Sequence, residues 1–278
     1  MNSISSLKIL FSCKYVNINV NGCIRRGLRP LHYAVFENDI ECVRLLIEAY
    51  GANVNVIDEA GYSPLHLAAK YGFLDIMHVL IDHGSTVNFH AALKADNPQL
   101  SSTVLPPYDL MIEPLSLCLE NNHIDCARLL LCSGADANQQ YFLGYQINVL
   151  PYENLRSLEL ILKYGADPDA ISRSGITPLI KACREENLGA LTLLCRYGAN
   201  INHVTRKFRP RNALLTSIEL KRSDIVEQLL VYGGYPNKHP ELSNSPLELV
   251  IRKDDLNSLQ VLIGRYFQWL NWLKSVSN

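Results

Sequence analysis

His123 stands five residues after Cys118, three before Cys126 and nine before Cys132, a grouping whose types raise the chemistry of zinc. Structural zinc sites draw ligands in closely spaced pairs. The eight cysteines (13, 23, 42, 118, 126, 132, 183 and 195) contain no Cys-x-x-Cys, so this spacing fits no known finger. The other histidines are scattered, and no His-Glu-x-x-His, Gly-x-Ser-x-Gly, phosphate loop or dinucleotide fingerprint occurs. No catalytic residue, metal or cofactor is therefore expected. One charged run remains: Arg206-Lys207-Phe208-Arg209-Pro210-Arg211 places four cations and an aromatic within six residues. It suits either a solvated loop or contact with phosphate or an acidic protein patch. Glu219 and Asp224 nearby, and a net charge of −1, argue against nucleic acid held by bulk charge.

The 278 residues are 48% hydrophobic and 19% charged, a composition able to bury a long core. No run approaches the roughly 18 consecutive apolar residues of a membrane span, so no membrane insertion is expected. Met1-Asn2-Ser3-Ile4-Ser5-Ser6 lacks a basic region and a long apolar run, which makes a secretory signal unexpected. Several cysteines sit among helix-forming apolar residues, as Cys183 does beside Ala182. Reduced core thiols in a cytoplasmic chain, or a nuclear one, are the expectation.

Any surface of this chain must be positioned by elements that recur. Gly27-Leu28-Arg29-Pro30-Leu31-His32-Tyr33-Ala34, Gly61-Tyr62-Ser63-Pro64-Leu65-His66-Leu67-Ala68 and Gly175-Ile176-Thr177-Pro178-Leu179 each precede an aliphatic doublet and a glycine. Pro30 and Pro64 are 34 positions apart, and Gly165 and Gly198 are 33 apart. A Ser or Thr hydroxyl before proline predicts a capped helix start; the later glycine predicts a left-handed helix end. A single such pair cannot bury its apolar face, so stacking is obligatory.

With its Thr-Pro-Leu-His-x-Ala core and period near 33, the chain over about 25–263 resembles the ankyrin repeat family. The resemblance implies an all-α solenoid of helix-turn-helix units with short β-turn fingers. It also implies a non-enzymatic scaffold or adaptor that binds a protein on a concave groove. In that family the histidine after Pro-Leu links neighbouring fingers, and His123 falls at an inter-helix turn where histidine is common.

Residues 1–24 read as half a repeat, either a cap or the tail of an earlier one. Repeats one and two cover about 25–57 and 58–90. Pro64 to Pro114 is 50 residues, about 17 beyond the period, which places an inserted loop at 91–108 that is either padding or a binding element. Repeat four, within 140–169, is degenerate: Gly134 to Gly165 is only 31, and Ile147-Asn148-Val149-Leu150-Pro151 replaces the helix start. A missing cap, a distorted first helix and the weakest joint of the array are expected there. Residues 264–278 carry Tyr266, Phe267, Trp269 and Trp272 and read either as a packed cap or as an exposed docking helix.

Arrays with inter-repeat insertions also resemble the ankyrin-repeat and SOCS-box proteins, substrate receptors of cullin-RING ubiquitin ligases that recruit elongin B and C. About fifteen residues follow Ile263 and no Leu-Pro-Leu-Pro occurs, so that box is expected to be truncated or absent here. The family's variable finger and first-helix positions map onto Arg25, Arg26, Leu28, Phe36 and Glu37 in repeat one. They map onto Glu59, Tyr62, Lys70 and Tyr71 in repeat two, and onto Arg173, Ile176 and Arg184 in repeat five. Tyrosine, phenylalanine and arginine are types enriched in binding hot spots, and these positions are the expected partner-binding residues.

Overall fold

The computed structural model describes residues 19–23, 26–89, 112–141, 144–206, 210–237 and 239–265. Residues 1–18, Arg25, the inserted loop at 91–108, positions 207–209 and the aromatic segment from Tyr266 onward lie outside the described residues. The chain divides after Asp136 into two compact units.

Among the described residues, the N-terminal unit holds three helical pairs. These are α1 (Pro30–Phe36) with α2 (Ile40–Arg44), α3 (Pro64–Tyr71) with α4 (Leu74–Asp82), and α5 (Pro114–Glu120) with α6 (Ile124–Cys132). Proline opens α1, α3 and α5, where its missing N–H costs nothing. Ser63 accepts from the His66 backbone N–H and caps α3. The chain then turns between helices on a left-handed residue: Asn38, Gly72 or Asn122. At Gly72 a side chain is also sterically excluded, because a Cβ there would lie 2.5 Å from the His123 ring. Leu65, Ile76, Met77, Leu80, Leu115 and Leu130 are sealed between the helix layers.

Spacing explains one irregularity. From the first proline to the glycine closing the second helix is 20 residues in repeats two and three, Pro64 to Gly84 and Pro114 to Gly134. Repeat one takes 21, Pro30 to Gly51. The extra residue is absorbed as a π-helical turn, Leu45–Ala49, continuing from α2.

The C-terminal unit begins with β1 (Gln140–Tyr141) antiparallel to β2 (Gly144–Tyr145), Gln140 opposite Tyr145. It continues through α7 (Gln146–Val149), α8 (Leu155–Lys163), α9 (Pro178–Arg184), α10 (Leu188–Arg196), α11 (Ala213–Glu219), α12 (Ser223–Val231) and α13 (Pro246–Lys253). Residues 256–265 are helical again. Thr177, Asn212 and Ser245 cap their helices by accepting backbone N–H bonds. Leu158, Ile161, Leu191, Leu194 and Leu229 form the sealed core.

Repeat four departs from one expectation. Its first helix is cut to four residues, as Pro151 requires, but its start is tied down. The Asn148 Oδ1 accepts from the Tyr145 N–H at 3.1 Å, and its Nδ2 donates to the Ala170 carbonyl at 2.8 Å. Asn148 thus supplies the missing cap and also reaches the next finger.

Candidate functional site

In the N-terminal unit each finger is braced by its own side chains, which fixes the direction of the residues it presents. Asp58 Oδ1 accepts from the Ala60 and Tyr62 N–H groups at 2.9 and 2.8 Å. The Glu59 N–H donates to the Arg26 carbonyl of the preceding finger at 3.1 Å. Gly27 makes that approach possible, since a Cβ there would lie 2.5 Å from the Glu59 nitrogen. Behind the fingers, His32 and His66 act as struts. Each Nδ1 accepts a backbone N–H at 3.1 Å, so the proton sits on Nε2 and is donated outward. His32 donates to the Tyr62 carbonyl at 3.1 Å and His66 to the Ile112 carbonyl at 2.9 Å. Burial holds both imidazoles neutral, pushing His66 down to about 4 and His32 in the same direction.

On this frame the expected partner-binding residues gather into a row of rings. Phe36, 56% exposed, meets Tyr71, 41% exposed, edge to face with centroids 5.6 Å apart. Tyr71 stacks on Phe73 at 5.7 Å. Lys70 Nζ lies 5.7 Å from the Tyr62 ring centroid and 5.9 Å from that of Tyr71. Tyr62 is half-buried and packs edge-on against His66, so it supports the finger as well as lining the surface. Arg26, Glu37 and Glu59 are exposed and Leu28 is half-buried; Arg25 is outside the described residues. Phe73 and the exposed Tyr33 were not among the expected residues. The run Tyr71-Gly72-Phe73 was the signal for Phe73, since a left-handed glycine between two rings turns them to one side.

In the C-terminal unit, Arg173, Ile176 and Arg184 line one open groove of about 480 Å³ with Asn148, Ser172, Ser174, Lys181 and Glu185. Ser172 braces this finger as Asp58 does the other, its Oγ accepting from the Ile176 N–H at 3.0 Å. Lys181 was missed by sequence reasoning. Its ammonium donates to the Asn148 and Leu150 carbonyls at 2.9 and 2.6 Å, lies 4.1 Å from the Tyr152 ring centroid and faces Glu185 at 3.8 Å. Burial lowers the Lys181 pKa and raises that of Glu185. A second groove, of about 710 Å³, shares Ser172 and Arg173 and continues past Asn200, His203, Arg206, His239 and Glu241.

The sequence features that could do chemistry have structural partners. His123 Nε2 lies 3.1 Å from the Lys70 carbonyl and ties repeat three to repeat two. Cys118 is buried with its thiol directed to the Ala69 carbonyl at 3.6 Å; a hydrogen bond with Cys126 and burial push its pKa up. Among the described residues no group of histidine, cysteine and carboxylate side chains could hold a metal ion. In the basic run, Arg206 makes a two-pronged bond to Glu241 at 2.8 and 3.1 Å. Arg211 pairs with Glu219 at 3.0 Å, and Thr205 bridges Arg211 as a small antiparallel turn. No described helix is long and apolar enough to cross a membrane.

Comparison with known proteins decides the family. The family description "Ankyrin repeats (3 copies)" matches residues 1–91 and 149–240, and "Ankyrin repeat" matches 114–141. The chain belongs to the ankyrin repeat family. It is 39% identical over 87 residues to protein phosphatase 1 regulatory subunit 27 of Homo sapiens, covering 31% of this chain and 54% of that protein. It is 29% identical over 181 residues to ankyrin repeat and SOCS box protein 3 of Homo sapiens, covering 64% of this chain and 32% of that protein. The match therefore spans about half of the first relative and a third of the second. The crystal structure of the human ASB11 ankyrin repeat domain superposes with a TM-score of 0.63 at 24% identity. That superposition covers 84% of this chain and 94% of the domain, and the likeness is one of fold. The all-α ankyrin architecture read from the repeats is thus established, and with it a role in protein–protein interaction.

Proposed function

We propose that this ankyrin repeat chain is a non-enzymatic adaptor that holds a partner protein on the finger and first-helix face of repeats one and two. The observation that carries this is the ring row Phe36–Tyr71–Phe73 with Lys70 alongside. Phe36 and Tyr71 stay exposed although the core beneath them is sealed, so stacking does not require them. Rigid aromatic bodies of this kind carry much of the energy of protein interfaces at low entropic cost. The test is affinity purification of the full chain from cells, comparing wild type with Phe36→Ala/Tyr71→Ala at equal melting temperature. Loss of specific partners in the variant supports the reading, and identical recovery places the interface elsewhere. Likeness to protein phosphatase 1 regulatory subunit 27 makes that phosphatase a partner to include.

A second reading, substrate receptor of a cullin-RING ubiquitin ligase, is favoured by likeness to ankyrin repeat and SOCS box protein 3 over 64% of the chain. It predicts that elongin B and C co-purify with a form of the protein that carries the box. Their absence while other partners are retained leaves the adaptor reading alone.

A further inference from the structure

The last helical pair, α13 with residues 256–265, carries an apolar outer face that no later repeat covers among the described residues. Counting from the opening proline aligns this pair with repeat two, Pro246 on Pro64. In repeat two, Leu65 and Ala69 are fully buried because α5 of the following repeat packs against α3. Their counterparts are Leu247, 45% exposed, and Ile251, 64% exposed. On the second helices, half-buried Leu74 and Ile81 correspond to exposed Leu256 and Ile263. An end repeat that faces water presents polar residues at such positions. This one presents four aliphatic side chains.

The sequence that follows departs from the repeat at the same point. Each earlier repeat closes its second helix on a glycine of positive φ: Gly51, Gly84, Gly134, Gly165, Gly198 or Gly233. The count from Pro246 puts Tyr266 at that position, and Leu270 where Asn88, Asn138 and Asn202 begin the next finger. Tyr266, Trp269, Leu270 and Leu273 recur at helical spacing, with Gln268, Asn271 and Ser275 on the opposite side. Size selects the occupant of the bare face. Four part-exposed aliphatic side chains offer on the order of a few hundred Å², short of the roughly 800 Å² a side in a stable interface between separate chains. A segment joined directly to Arg265 needs less area, because its attachment holds it at high effective concentration. We propose that residues 266–273 fold back on Leu247, Ile251 and Ile263 and close the array as an aromatic cap. The cap is independent of the adaptor surface, since it involves neither Phe36 nor Tyr71.

The test is tryptophan fluorescence of the full chain, since Trp269 and Trp272 are its two tryptophans. Native emission is expected at shorter wavelength than that of the urea-unfolded chain, with acrylamide quenching several-fold weaker, at every protein concentration. Leu247→Ser/Ile251→Ser should move emission towards the unfolded value and raise quenching several-fold while far-UV circular dichroism stays native. Ile171→Ser/Val231→Ser, a comparable change at exposed positions elsewhere in the unit, should leave both readings as in wild type. Ile251→Gln, which keeps a good helix former, repeats the test should the serine pair lower helicity. Solvent-like emission in wild type, or equal readings in the two double variants, overturns the cap. A blue shift that appears only as protein concentration rises assigns the face to a second copy and overturns it too. Phe36→Ala/Tyr71→Ala should leave the emission unchanged, which separates failure here from failure of the adaptor surface.

Discussion

Repeats two and four perform the same task with different residues. In repeat two, His66 folds back on the Ser63 N–H and reaches forward to the Ile112 carbonyl. In repeat four, Asn148 folds back on the Tyr145 N–H and reaches forward to the Ala170 carbonyl. A second tie repeats the lesson. His123 reaches from the inter-helix turn of repeat three to the Lys70 carbonyl, and Asn187 reaches from that of repeat five to the Tyr152 carbonyl at 2.7 Å. At His66, Asn148 and Asn187 the array uses a side chain with one acceptor and one donor on opposite sides. Imidazole and amide both supply that; only imidazole titrates near neutrality.

The two repeats also differ in how the first helix ends. Repeat two completes α3 and stops on Gly72 in the left-handed region. Repeat four is one residue shorter from helix start to closing glycine, 19 between Gln146 and Gly165, and none of residues 150–154 has positive φ. Tyr152 is instead buried completely and donates its hydroxyl to the Ile147 carbonyl at 3.1 Å. Lys181 of the next repeat satisfies the Asn148 and Leu150 carbonyls that a longer helix would have bonded. The expected weak joint is held from its neighbour.

The largest way to break this comparison is to empty each core. Leu80→Ala in repeat two should cost about 2–5 kcal/mol and Tyr152→Ala in repeat four about 3–5 kcal/mol, read by chemical denaturation. A loss below about 1 kcal/mol at Tyr152 would mean that repeat four does not lean on it.

Acid should separate the repeats next. The folded pKa of His66, about 4, lies below its ordinary value of 6.5, so the unfolded chain binds the proton first. The stability this imidazole contributes is complete above pH 6.5 and is lost as pH falls towards 4, about 3 kcal/mol in all. His66→Asn, the choice repeat four makes at this position, should flatten most of that acid limb and leave the shallower one from His32. An unchanged pH profile would show that His66 is not the acid-sensitive strut.

Lys181→Met is the finer probe. It strips two carbonyls of their donor and should cost about 1–3 kcal/mol. Amide exchange over 146–152 should accelerate while that over 64–71 stays as it was, and equal change in both would contradict the local role.

Much of the fold was legible in the sequence because its causes are local. Proline after Ser or Thr, the aliphatic doublet and the closing glycine mark helix starts, core faces and ends wherever they recur. The π turn in repeat one was also countable, from 21 residues where its neighbours use 20. What escaped were relations between residues that no pattern links. Asn148 escaped because the repeat pattern sets histidine there; Lys181 sits 29 residues beyond Tyr152, and only the stack brings them together. At the candidate site, Phe36 and Tyr71 could be named from their positions, but the contact that makes them one surface with Phe73 could not.

The most direct test of the adaptor account is a hydrogen-exchange footprint of the full chain with and without a partner recovered through it. The account predicts slowed exchange at the fingers and first helices of repeats one and two, about 26–37 and 58–73, with the second helices unchanged. Protection confined to the second helices, 40–50 and 74–82, would contradict it.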